Sequence, residues 1–159
     1  NGNSVNRTHG AAPVLKFLKM SKGEKNSVLV SITDFGLQFA SRPNPVIDQE
    51  DFSNAALSHE EVEFLLEHIA SEVPEEAKLM QLILEGMKKG LATPSELNER
   101  IHAHCSDWND NEAALMRAGL ISRIGELGLL ERRKEGVKVT YILTDLGEKY
   151  LDRLGHLGA

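Results

Sequence analysis

Residues 127–151 read LGLLERRKEGVKVTYILTDLGEKYL, and residues 15–40 read LKFLKMSKGEKNSVLVSITDFGLQFA. The two stretches have the same order. An apolar run leads into a basic, glycine-containing turn. A β-branched, alternating run returns, and a helix then opens at LTDLG in one copy and ITDFG in the other. Alternation over four to eight residues is the mark of a strand with one covered face, and Thr followed by Asp is a helix start that the helix dipole favours. Each stretch therefore predicts a helix end, strand, turn, strand and capped helix: Ser27–Ile32 with a helix from Thr33 in the first, Leu129–Lys134 and Val137–Leu143 with a helix from Thr144 in the second.

Working outward, the residues before the second copy read as helices. Ser58 to Glu61 is a capping box, and Val62, Leu65, Leu66 and Ile69 make one stripe behind it. The remaining carboxylates of this helix, Glu60, Glu61, Glu63 and Glu67, read as a solvated face. Pro74 opens a second helix with Ala77, Met80, Leu82, Ile83 and Met87 inward, and Gly90 suits its end. Thr93-Pro94-Ser95-Glu96 is another capping box with proline at the first helical position. A further helix starts at Asn109 or Asn111, with Leu120, Ile121, Ile124 and Leu127 inward. Gly119 is expected to weaken or split it. At the opening of the first copy, Pro13 and VLKFLKM predict one or two helical turns, and residues 43–56, with Pro43 and Pro45, read as a connector.

The sequence from Thr93–Glu96 through LISRIGELGLLERR (120–133), EGVK (135–138) and YILTDLGEKYL (141–151) resembles a winged helix-turn-helix domain of prokaryotic transcriptional regulators. The expected fold is mainly α with small β-hairpins (α+β), a winged helix-turn-helix preceded by a partial second copy. The expected organisation is a partial unit at 1–42, an acidic connector and helix at 43–73, and a complete domain at 74–159. Residues 1–14 are too few to supply two helices ahead of the first copy, and the chain starts at Asn1. A segment of a longer polypeptide is therefore expected.

The resemblance implies double-stranded DNA as partner. In a helix-turn-helix the second helix enters the major groove, which makes Arg117, Ser122 and Arg123 candidate contacts. Arg117 falls close to the apolar stripe, and solvated surface arginines are the alternative reading for both. Arg132, Arg133, Lys134 and Lys138 crowd one hairpin, and Lys19, Lys22 and Lys25 the other. Such groups neutralise phosphates and release counterions, although lysine and glycine also suit any exposed turn.

Composition qualifies this reading. The net charge is −6, but residues 1–40 carry +3, residues 41–74 carry −7 and residues 75–159 carry −2. A basic hairpin can act beside an acidic connector because affinity follows local phosphate contacts. The acidic middle favours a second function, a protein-docking module in a replication, transcription or repair assembly, and the start at Asn1 favours a third, an accessory domain of a larger enzyme. The apolar stripe of residues 58–73 and the last helix either pack internally or form a homodimer interface. No nucleophile, base or phosphate loop is spaced for catalysis, so no enzyme is expected. His102 and Cys105 form one ligand pair where a metal site needs more, so neither metal nor cofactor is expected. Trp108 reads as a packing anchor, and Asn6-Arg7-Thr8 is a glycosylation sequon without a secretory signal. One cysteine, Cys105, excludes an internal disulfide, and no apolar run approaches a membrane span. A cytoplasmic location, without membrane partners, follows as the expectation.

Overall fold

The computed structural model describes residues 15–50, 57–105, 107 and 109–157. Pro13, the sequon at Asn6, Trp108 and the chain's first residues lie outside that set. The described chain runs β1 (Leu18–Lys22), β2 (Val28–Ile32), α1 (Asp34–Ala40), α2 (Pro45–Gln49), α3 (His59–Glu72), α4 (Pro74–Lys88), α5 (Pro94–His104), α6 (Asp110–Glu126), β3 (Leu130–Glu135), β4 (Lys138–Leu143) and α7 (Asp145–Leu157). It is a mainly helical α+β chain with two small antiparallel hairpins.

Local chemistry explains where the helices start. The Ser58 hydroxyl accepts from the Glu61 amide while the Glu61 carboxylate accepts from the Ser58 amide, and Thr93 with Glu96 and Asn109 with Glu112 repeat the device. Each closes orphan amides at a helix start, an effect of about 1 kcal/mol. Pro74 occupies the first turn of α4, where its missing N–H costs nothing. Gly90 and Gly128 take positive φ values of 93° and 72° just past α4 and α6, where an L side chain is strained.

The hairpins share one frame. In the first, Leu18 pairs with Ile32; in the second, Leu130 pairs with Leu143. The Thr33 amide donates to the Phe17 carbonyl and the Thr144 amide to the Leu129 carbonyl, at 3.0 and 3.2 Å. The Thr33 hydroxyl donates to the Lys16 carbonyl and that of Thr144 to the Gly128 carbonyl, each at 2.7 Å. Each hydroxyl also accepts from the glycine amide three residues on, Gly36 or Gly147, at 3.1 Å. These glycines are dictated by space: a Cβ would lie 2.4 Å from the Phe17 carbonyl oxygen at Gly36 and 2.2 Å from that of Leu129 at Gly147. The turns differ. Gly136 and Val137 close the second hairpin, with Gly136 at φ 61° as a two-residue type II′ turn requires. The first closes through Glu24–Asn26, with Lys25 at φ 53°.

The core is centred on α4, which touches α3, α5, α6, α7 and β4. Met80, Ile83 and Leu84 of α4, Leu97 and Ile101 of α5, and Leu120 and Ile124 of α6 are fully buried. Each such side chain contributes about 1.5–3 kcal/mol by leaving water. The first hairpin joins this core at its base. Leu15 and Phe17 are buried, Phe17 stacks on Phe39 at 5.2 Å, and His68 of α3 lies 2.6 Å from the Leu15 carbonyl through Nε2.

Four readings of the sequence need correction. VLKFLKM is not helical where described, since Leu18–Lys22 is a strand. Pairing with β2 overrides the local helical pattern, and the buried residues, Leu15 and Phe17, follow a two-residue period. Gly119 does not split α6, which runs unbroken from Asp110 to Glu126. Packing of Leu120, Ile121 and Ile124 outweighs a helical glycine's cost of about 1 kcal/mol. Glu61 is buried rather than solvated, because its carboxylate also accepts from Asn44 Nδ2 at 2.9 Å. That asparagine caps α2 within the segment read as a plain connector. Among the described residues no helix is long and apolar enough to cross a membrane.

Candidate nucleic-acid interface

Helix α6 reaches its position because Ala113, Leu120, Ile121 and Ile124 point into the core. Its outer face carries Glu112, Leu115, Met116, Ala118 and Ser122. The two arginines of this helix are placed differently. Arg123 turns inward and its Nε donates to the Glu76 carboxylate on α4, with side chains 18% and 5% exposed. A guanidinium paired this deeply has given its charge to α4, and Glu76 would be left buried and uncompensated without it. Arg117 is half-buried, and its Nε is shielded from solvent with no hydrogen-bond acceptor among the described residues.

Arg117 lines an open cleft of about 470 Å³ between α6 and the second hairpin, together with Ser122, Arg132 and Tyr141. The Ser122 hydroxyl donates to Glu126 at 3.1 Å. Strand alternation explains which basic groups of the hairpin join them. Leu130, Arg132 and Lys134 share a face with their partners Leu143, Tyr141 and Val139. Leu130 and Tyr141 are buried there, so Arg132 and Lys134 extend the side that carries the cleft. Arg133 projects from the other face, where it pairs with Glu131 at 3.8 Å. Exposed pairs of this kind contribute 0–1 kcal/mol, so they yield readily to another anion.

The edge of the second hairpin is tied to the helices by backbone. The Tyr141 amide donates to the Ala92 carbonyl, in the link between α4 and α5, at 2.8 Å. The link is held by Glu96, whose carboxylate accepts from the Thr93 hydroxyl at 2.7 Å and from the amides of Thr93 and Ala92 at 2.9 and 3.0 Å. The Thr93 hydroxyl first, then the two amides, hold the Glu96 carboxyl below the ordinary carboxylate range, and Lys138 adds to the effect.

None of Lys19, Lys22 and Lys25 lines the α6 cleft. Lys19 and Lys22 leave opposite faces of β1, and Lys25 caps the turn. His102 Nε2 lies 3.6 Å from Asp110, and among the described residues no three His, Cys, Asp or Glu are grouped to hold a metal ion. Sequence reading missed Glu76 and the Ala92 carbonyl. A pair as far apart in the chain as Glu76 and Arg123 has no spacing signal, and a backbone carbonyl has no residue signature at all. No family model, curated protein or solved structure matches this chain.

Proposed function

We propose that this chain binds double-stranded DNA through the β3–β4 hairpin and the cleft it forms with α6, as the DNA-binding part of a transcriptional regulator with a winged-helix plan. One observation carries the reading: Arg117, with an unpartnered Nε, Ser122 and Arg132 converge on one open cleft, and Lys134 lies on the same face of the hairpin. Guanidinium groups beside a hydroxyl suit phosphate oxygens, which accept charge-assisted hydrogen bonds. The order of helices and hairpin in residues 74–157 accords with the plan. Arg123 enters as the tie between α6 and α4, so groove contact falls to Arg117 and Ser122, and phosphate contact to Arg132 and Lys134 on the cleft side and to Arg133 and Lys138 elsewhere on the hairpin.

The test is a titration on duplex DNA from about 50 to 200 mM salt, for the natural chain and for a variant with Arg132, Arg133 and Lys134 all replaced by Ala. The variant is expected to bind every duplex more weakly, with a salt slope flatter by up to about three ion equivalents. A folded variant with unchanged affinity and slope overturns the proposal.

A second reading is favoured by Leu115, 75% exposed, and its neighbour Met116 on the outer face of α6. Apolar side chains one helical turn from Glu112 suit a protein surface better than a phosphate backbone. Absence of DNA binding at low salt would make protein docking through α6 the better account.

A further inference from the structure

We infer that β2 is a self-association edge, and that its occupant is β2 of a second copy of this chain, paired antiparallel about a two-fold axis centred on Val30. The starting point is what the two hairpin edges do. Thr33 pairs with Phe17 through its amide, so the amides of Ser31 and Leu29 also point at β1. Those of Val28, Val30 and Ile32 point outward. In the second hairpin the residue matching Val30 is Tyr141, two before the strand-closing Leu143 as Val30 is two before Ile32, and its outward amide is taken by the Ala92 carbonyl. Among the described residues no hydrogen bond reaches the outward amides of β2.

The strand VLVSI carries no charge, and every one of its residues is exposed, with Val28, Leu29, Val30 and Ile32 at 45%, 59%, 58% and 48%. Natural edge strands are guarded by lysine, proline or a bulge. Strand β2 has none of these, whereas β1 carries Lys19 and Lys22 and β3 carries Arg132, Arg133 and Lys134. The matching edge in the second hairpin shows the kind of group this position accepts, an extended backbone carbonyl.

The strand is self-complementary in one register. With Val30 opposite Val30 of the second copy, Val28 faces Ile32 and Ile32 faces Val28, all on one side of the new sheet. β-branched pairs roughly 4.5–5.5 Å apart are favourable cross-strand neighbours. The lysines do not oppose it. In the order β1, β2, β2, β1 the two β1 strands stand three strand spacings apart, about 14 Å. That exceeds the Debye length of about 8–10 Å near physiological salt. A two-fold contact is closed, so pairing stops at the dimer.

The experiment is sedimentation of the full chain over a range of concentrations, beside Val30→Lys and Val30→Pro. The natural chain is expected to pass from monomer to dimer as concentration rises. Val30→Lys sets two ammonium groups across the axis, and Val30→Pro deletes the central outward amide without touching the β1 ladder. Both are expected to stay monomeric at concentrations where the natural chain is dimeric. If the proline variant unfolds, amide exchange decides: in the dimer the amides of Val28, Val30 and Ile32 are expected to slow by about tenfold or more, while those of Leu29 and Ser31 change little. A monomer at every concentration, an open-ended aggregate, or a dimer that survives Val30→Lys overturns the inference.

Discussion

The two hairpins repeat the same hydrogen bonds around Thr33 and Thr144 and the same close approach at Gly36 and Gly147, yet they live in different surroundings. The β3–β4 hairpin lies under helices, with Leu130 and Tyr141 buried and its edge amide bonded to Ala92. Among the described residues the β1–β2 hairpin is anchored at its base, by the buried Leu15 and Phe17, and its return strand is exposed along its whole length. The hairpin frame is therefore a local product of sequence, closed by a threonine and a glycine. Burial is a separate matter, decided by whether helices stand beside it. The basic residues follow the same division. Arg132 borders a cleft because α6 is there to form its other wall, while Lys19 and Lys22 have no such wall.

The largest expected effect comes from the paired glycines. Gly147→Ala pushes a methyl group into the Leu129 carbonyl and the Leu143 side chain, both held by the core. It is expected to lower stability by about 3 kcal/mol. Gly36→Ala meets the same carbonyl obstacle at Phe17, but the second group in its way, the Ile32 side chain, is exposed and can turn aside, so its cost is expected to stay below that of Gly147→Ala, at about 2 kcal/mol. Urea unfolding of the two variants measures this. Equal losses would mean that the hairpins are equally rigid, and the contrast would fail.

A second, smaller effect concerns the helices that follow the hairpins. Tyr150 of α7 is buried and donates to the Leu66 carbonyl at 3.3 Å; its counterpart in α1, six residues past the capping threonine, is Phe39. Burial pushes the Tyr150 hydroxyl up to about 12. The folded-state value is raised, so its contribution is intact below the ordinary value near 10 and is lost as pH rises from there toward 12. The loss reaches about 2 kcal/mol at the top of that window. Tyr150→Phe is expected to abolish this alkaline arm. An unchanged alkaline profile in Tyr150→Phe would assign it to other groups.

The smallest effect sharpens the edge contrast. Glu96 holds the Ala92 link that covers the β4 edge, and its carboxyl is depressed in the folded state. Its contribution is present above the ordinary carboxylate value and lost as pH falls through the depressed one. Glu96→Gln is expected to flatten the acid limb of the stability profile slightly and to speed exchange of the Tyr141 amide toward that of Val30 in the monomer. Exchange at Tyr141 that ignores the substitution would show that the link holds without Glu96.

Much of the architecture was legible because its signals are local. Capping boxes at Ser58 and Thr93, the proline at 74, the glycine at 90 and the Thr-Asp helix starts each act within a few residues, so a linear reading finds them, whereas the Asn109–Glu112 box was seen only as a start at Asn109 or Asn111. The position of the β3–β4 hairpin and of strand β2 followed from the change from a helical to a two-residue period. The candidate site was less legible. Arg117, Ser122 and Arg132 were singled out as separate residues, and their common cleft depends on how α6 and β3 lie together.

Sequence alone thus determined the order of elements from α3 to α7 and their helix starts, the paired threonine–glycine frames and where basic charge gathers, because these rest on short-range hydrogen bonding and period. Only the tertiary structure decided that Arg123 belongs to Glu76, that Glu61 is buried beside Asn44, that VLKFLKM yields a strand, and that one hairpin is covered while the other is bare. Those outcomes depend on groups distant in the chain meeting in space, where removal from water, rather than local propensity, sets the energy of each side chain.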